Sequence, residues 1–136
     1  MFELHPRLKA DSIDIGQIGK INCRLINDRR FPWVILVPEV KNVSEIHQLD
    51  VELQAQLARV ATELGKTLLE VCDGHKLNVG ALGNVVSQLH YHLVVRRHDD
   101  AAWPAPVWGF GTPTPYTQDE RDMLIRKVCV AFKPLL

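Results

Sequence analysis

Apolar positions along this chain change their period several times, and each change marks an element. Leu4 and Leu8, four residues apart, predict a short helix within residues 2–10. The segment Ile13-Asp14-Ile15-Gly16-Gln17-Ile18 then alternates as an extended chain does. Ile21, Cys23 and Leu25 alternate with Asn22, Arg24 and Ile26. After the turn Asn27-Asp28-Arg29-Arg30, the run Trp33-Val34-Ile35-Leu36-Val37 stops at Pro38, so two antiparallel strands are predicted here. Ile46, Leu49, Leu53, Leu57, Val60 and Leu64 recur at helical spacing and predict a long helix over residues 44–73, capped by Ser44 and ended by Gly74. Leu77-Asn78-Val79 predicts a short strand, and residues 85–97 are the most strand-like run in the chain. Residues 103–115, rich in proline, glycine and aromatics, predict a structured loop. Thr117 and Glu120 form a capping box for a last helix carrying Met123, Leu124, Val128 and Phe132. Together these elements predict an α+β fold in one domain over residues 1–136. An antiparallel sheet of about five strands would carry the long helix on one face, with a C-terminal helix beside it.

Composition narrows the class. With 136 residues, 46% hydrophobic and 24% charged, the chain is long enough and apolar enough to bury a core without disulfide or metal staples. Lysine plus arginine equals aspartate plus glutamate at 16 each, so no overall field draws nucleic acid or an anionic membrane, and neither is expected as a partner. Any anionic ligand must be held by local groups. Zero net charge also leaves self-association into a dimer unopposed. The three cysteines, Cys23, Cys72 and Cys129, lack any C-x-x-C pairing and read as buried thiols in a reducing compartment. The first residues carry no basic start followed by an apolar run, and no stretch approaches the ~20 apolar residues of a membrane span, so a cytoplasmic location is expected.

On a strand through residues 85–97, Gln88, His90, His92, Val94 and Arg96 share one face while Leu89, Tyr91, Leu93 and Val95 seal the other. Two imidazoles, an amide and a guanidinium then stand in one row at spacings of roughly 6 to 7 Å. Neutral imidazole is available near neutrality, so His90 is able to attack an electrophile. Phosphorus suits it, because a phosphoramidate intermediate follows and His92 and Arg96 would face the charge developing on phosphate oxygens. From the pair alone, a His-x-His that decorates a solvent-facing strand stays open. A metal site would need a third ligand, and His98, Asp99, Asp100, His75 and His47 have no diagnostic spacing to the pair. Arg96 beside the row opposes a bound cation, and no metal or other cofactor is expected.

The segment Gln88-Leu89-His90-Tyr91-His92-Leu93-Val94-Val95-Arg96 resembles the signature of the histidine triad family of nucleotide hydrolases and transferases, with Gln88 in place of the first histidine. Asn78-Val79-Gly80, Gly83-Asn84, Leu25-Ile26-Asn27 and Val34-Ile35-Leu36-Val37-Pro38 resemble further family segments, so the likeness runs from about residue 21 to residue 97. The resemblance implies a HIT-like fold, a homodimer with joined sheets, and transient nucleotidylation of His90 in the hydrolysis of a dinucleoside polyphosphate or nucleoside phosphoramidate. It implies that Asn27 receives the ribose and that Asn78 and Asn84 meet phosphate. Gln88 cannot titrate, so an orienting role survives there while a proton relay is lost, and a nucleotide-binding protein with little turnover is the alternative. The hydroxyl residue many members place before the triad is Val85 here, and the family's Gly-His before the second strand is replaced by Pro32-Trp33, whose indole is expected to line a base pocket.

Overall fold

The computed structural model describes residues 1–136. Its elements are α1 (Pro6–Asp11), β1 (Ser12–Ile18), β2 (Ile21–Ile26), β3 (Trp33–Pro38), α2 (Val51–Val71), β4 (Lys76–Gly80), β5 (Tyr91–Arg96) and α3 (Gln118–Phe132). The strands form one five-stranded sheet in the order β1-β2-β3-β5-β4, antiparallel throughout. This is the expected α+β architecture.

Strand alternation sorts the core into two sides. Cys23, Leu25, Val34, Leu36, Leu93 and Val95 point to the face that α2 covers with Leu53, Leu57, Val60, Leu64 and Leu68. Val128, Ala131 and Phe132 of α3 close the same cluster. Gly65 lets α2 approach β4, because a Cβ there would collide with the Leu77 side chain. On the opposite face, Phe2, Leu4 and Leu8 of the N-terminal segment pack on Ile35, Val37 and Val86. Further along that face, Ala102 and Val107 of the loop after β5 pack on Phe31 and Val94.

Two elements are shorter than their patterns predict. The long helix begins at Val51, where the Asp50 carboxylate accepts from the backbone N–H of Leu53 at 2.7 Å, and not at Ser44. Residues Ile46–Gln48 form a separate 3-10 turn, held by the side-chain Oε1 of Gln48, which accepts from the backbone N–H groups of Ser44 and Glu45. The helix closes with Asp73 at a positive φ of 51° and the Gly74 N–H bonded to the Leu69 carbonyl at 2.8 Å. The strand expected over residues 85–97 is regular only from Tyr91 to Arg96, because residues 85–90 leave the sheet to bond elsewhere. The Leu89 N–H, for example, donates to the carbonyl of Val43 at 3.0 Å. The C-terminal helix carries the expected capping box at Thr117 and Glu120. All three cysteines are free, but only Cys23 is buried; Cys72 is half-buried and Cys129 exposed, against the expectation of three buried thiols. No helix is long and apolar enough to cross a membrane.

Candidate functional site

A cavity of about 740 Å³ opens on the sheet face that α2 leaves free. Its walls come from α1, the turn after β2, residues 82–86 and the proline- and glycine-rich loop after β5, and His90 and His92 lie on its floor. The two imidazoles are 4.7 Å apart between ring centres at 67°, closer than strand spacing alone predicts, since His90 sits just before the regular part of β5. Both are nearly inaccessible, at 6% and 5% exposed.

Hydrogen bonds fix the tautomer of each ring. His90 Nδ1 lies 2.7 Å from the backbone carbonyl of Gln88, which only accepts, so Nδ1 carries the proton and Nε2 keeps its lone pair. His92 is the reverse. The indole N–H of Trp33 donates to its Nδ1 at 2.9 Å, leaving the proton on Nε2, which faces the Leu82 carbonyl at 3.3 Å. Burial lowers the pKa of both rings. For His92, burial and then the neighbouring His90 bring it down to about 4. For His90 the Gln88 carbonyl partly offsets burial, while the charge of nearby His5 adds to the lowering. Trp108 completes an aromatic corner, edge-on to both His92 at 5.4 Å and Trp33 at 6.1 Å. The next residue, Gly109, turns the loop at a φ of +76°, a conformation that side-chain-bearing residues rarely adopt.

Of the residues singled out from the sequence, the cavity gathers Asn27, Asn84, His90 and His92. Asn27 is tied to the far wall, its Oδ1 accepting from the Tyr116 N–H at 3.0 Å. Asn84 is exposed at the rim. Trp33 lines the cavity as expected of its indole, and it also orients His92.

The expected row of four polar side chains is broken at both ends. Gln88 turns away from the cavity and bonds the N-terminal segment, donating to the Glu3 carbonyl and accepting from the His5 N–H, each at 2.8 Å. Arg96 is 1% exposed and lies under the loop after β5. Its Nε donates to Asp100 at 2.8 Å, and its Nη1 donates to the side-chain oxygen of Asn78 at 2.7 Å. Asn78 and Arg96 thus hold each other and the loop, outside the cavity walls.

Sequence reasoning passed over Arg7, Asp11 and Asp28, which the fold brings to the cavity. Asp28 is fully buried; burial would raise its pKa, but hydrogen bonds from Arg30 and the Thr114 N–H outweigh this and hold it below the usual carboxylate range. It thereby fixes the loop wall at residues 113–115. The signal for Arg7 was present in His5-Pro6, a helix start with proline at the first position. No group of three metal-ligating side chains occurs in the structure.

The model of the HIT domain family matches residues 8–99. No curated protein matches the chain significantly. Among solved structures, a histidine triad protein from Marinobacter aquaeolei VT8 is 42% identical with a TM-score of 0.97, the match covering 100% of this chain and 99% of that one. A histidine triad protein from Sinorhizobium meliloti 1021 is 40% identical with a TM-score of 0.93, covering 96% of each chain. Another from Bradyrhizobium japonicum is 41% identical with a TM-score of 0.93, covering 96% of this chain and 97% of that one. A floor of two tautomer-fixed histidines, a domain match over residues 8–99 and this degree of likeness lead to one conclusion: the chain belongs to the histidine triad (HIT) domain family of nucleotide hydrolases and transferases.

Proposed function

We propose that this chain acts at the α-phosphorus of a nucleoside phosphate, of the dinucleoside polyphosphate or nucleoside phosphoramidate type, through a nucleotidyl-His90 intermediate. The observation that carries this is the bond from His90 Nδ1 to the Gln88 carbonyl, which leaves Nε2 unprotonated on a cavity floor. In the first step Nε2 bonds to the α-phosphorus and the bond to the leaving group breaks, the leaving group departing with the electron pair and taking up a proton from solvent. The imidazolium so formed keeps its Nδ1–H on the Gln88 carbonyl, whose dipole stabilises the positive charge. Water then attacks phosphorus, the P–N bond breaks, a proton is released, and the nucleoside monophosphate leaves. Asn27 in the turn after β2 suits the ribose, and Asn84 at the rim suits phosphate oxygens. Trp33 and Trp108 offer flat surface for a base.

A second reading is favoured by one observation: neither Gln88, bonded to the N-terminal segment, nor His92, held neutral by Trp33, is free to give the leaving group a proton. A nucleotide-binding protein with little turnover fits that arrangement.

The assembly expected is a homodimer. A groove of about 520 Å³ runs between α2 and the edge strand β4, lined by Leu57, Ala58, Ala61, Leu69, Leu77 and Val79. A second copy would pair its own edge strand there.

Incubation with an adenosine phosphoramidate and with a dinucleoside polyphosphate separates the readings. Native protein is expected to release nucleoside monophosphate, and His90→Ala to lose on the order of a thousandfold or more. No hydrolysis by native protein, with nucleoside monophosphate still bound, would favour the second.

A further inference from the structure

The geometry points to the N-terminal segment as a working wall of this site, with Arg7 as its phosphate-binding cation and Gln88 as the positioning residue that holds Arg7 in place. The inference rests on the nucleotide reading above and deepens it. Among the residues lining the cavity, Arg7 alone is a lysine or arginine. Its guanidinium makes one long ion pair, Nε to the Asp11 carboxylate at 3.6 Å, and both side chains are more than half exposed. The other cations nearby are committed elsewhere: Arg30 to Asp28 at 2.8 Å, and Arg96 to Asp100 at 2.8 Å. His92 is held as the neutral ring by the Trp33 indole. An entering phosphate therefore meets two carboxylates, one of them already neutralised by Arg30, and a single available positive charge. Without Arg7 the cavity would repel the ligand its histidines suit.

Gln88 is what fixes that charge in space. Its carboxamide donates to the Glu3 carbonyl and accepts from the His5 N–H, the pairing a neighbouring strand would make with an extended segment. His5 then caps α1, its Nδ1 accepting from the Arg7 N–H at 3.1 Å, and Leu8 anchors the helix on Ile35 and Val37. The position that aligns with the family's first histidine thus no longer serves the phosphate directly. It ties down the segment that does.

Calorimetric binding of adenosine and guanosine 5′-monophosphates, each set against its nucleoside, tests this. Arg7→Ala is expected to weaken monophosphate binding about tenfold while nucleoside binding stays within about twofold. Gln88→Leu is expected to weaken the same phosphate-specific part about three- to tenfold, and to add no further loss in the Arg7→Ala background. Asp11→Asn, which removes the competing carboxylate, is expected to tighten monophosphate binding about two- to threefold. An unchanged ratio of monophosphate to nucleoside affinity in Arg7→Ala overturns the role of Arg7, and additive losses in the double variant overturn that of Gln88. Native protein that binds neither ligand overturns the nucleotide reading itself, and this inference with it.

Discussion

A ring nitrogen that already accepts an N–H cannot take up a proton without losing that bond, and this separates the two histidines. His92 receives the Trp33 indole on Nδ1, and burial followed by the proximity of His90 brings its pKa to about 4. A histidine titrating lower in the folded chain than in the unfolded one contributes stability that is full above about pH 6.5 and is lost as pH falls toward about 4, roughly 3 kcal/mol in all. Imidazole NMR is expected to show His92 neutral down to about pH 4, and a titration midpoint near 6.5 would contradict this. His90, also lowered by burial, needs its neutral form to attack, so turnover is expected to decline with acid at a midpoint below 6.5. Pairing of the histidines was legible from alternation along the strand. Their tautomers were not, since they depend on Trp33, 59 residues away in sequence, and on a carbonyl that no side-chain pattern reports.

At the scale of elements, β5 and the loop after it act as one unit. Asp100 accepts from Arg96 and from the backbone N–H groups of Arg97, Ala102 and Trp103. Burial alone would raise its pKa, but these bonds bring it to about 2, so its contribution is present above pH 3.8 and is lost as pH falls toward about 2. Asp100→Asn leaves Arg96 buried beside a neutral partner and is expected to cost about 3 kcal/mol or more, read as a lower urea midpoint at unchanged slope. Widening Gly65 to leucine is expected to cost about 1–3 kcal/mol, because α2 must lift off Leu77. All five strands and both longer helices were legible from period, because the core they bury is periodic, and α3 also from its capping box; the Asp50 cap of α2 was not. The early end of β5 was not. Residues 85–90 have strand-like side chains, and what removes them from the sheet is bonding to distant backbone at Val43 and the first five residues. Arg96 was misplaced for the same reason, since its buried ion partner lies on a loop that follows the motif.

For the whole molecule, the sheet divides the labour: one face is sealed by α2 and α3, and the other carries the cavity between the N-terminal segment and the aromatic loop. The exposed edge of β4, with Val79 at 49% exposure, faces no partner within the chain. Light scattering is expected to give twice the 15.4 kDa chain mass for the native protein, and Ala58→Arg in the α2 groove is expected to shift it to the single-chain mass. A single-chain mass for the native protein would contradict the dimer. Covalent use of His90 is read most directly by intact-mass spectrometry of the native chain, quenched with base during turnover of a nucleoside phosphoramidate because the P–N bond hydrolyses in acid. A transient gain of one nucleotidyl group is expected, mapped to His90 and absent in His90→Ala. Hydrolysis that proceeds with no adduct, and at an undiminished rate in His90→Ala, would contradict it.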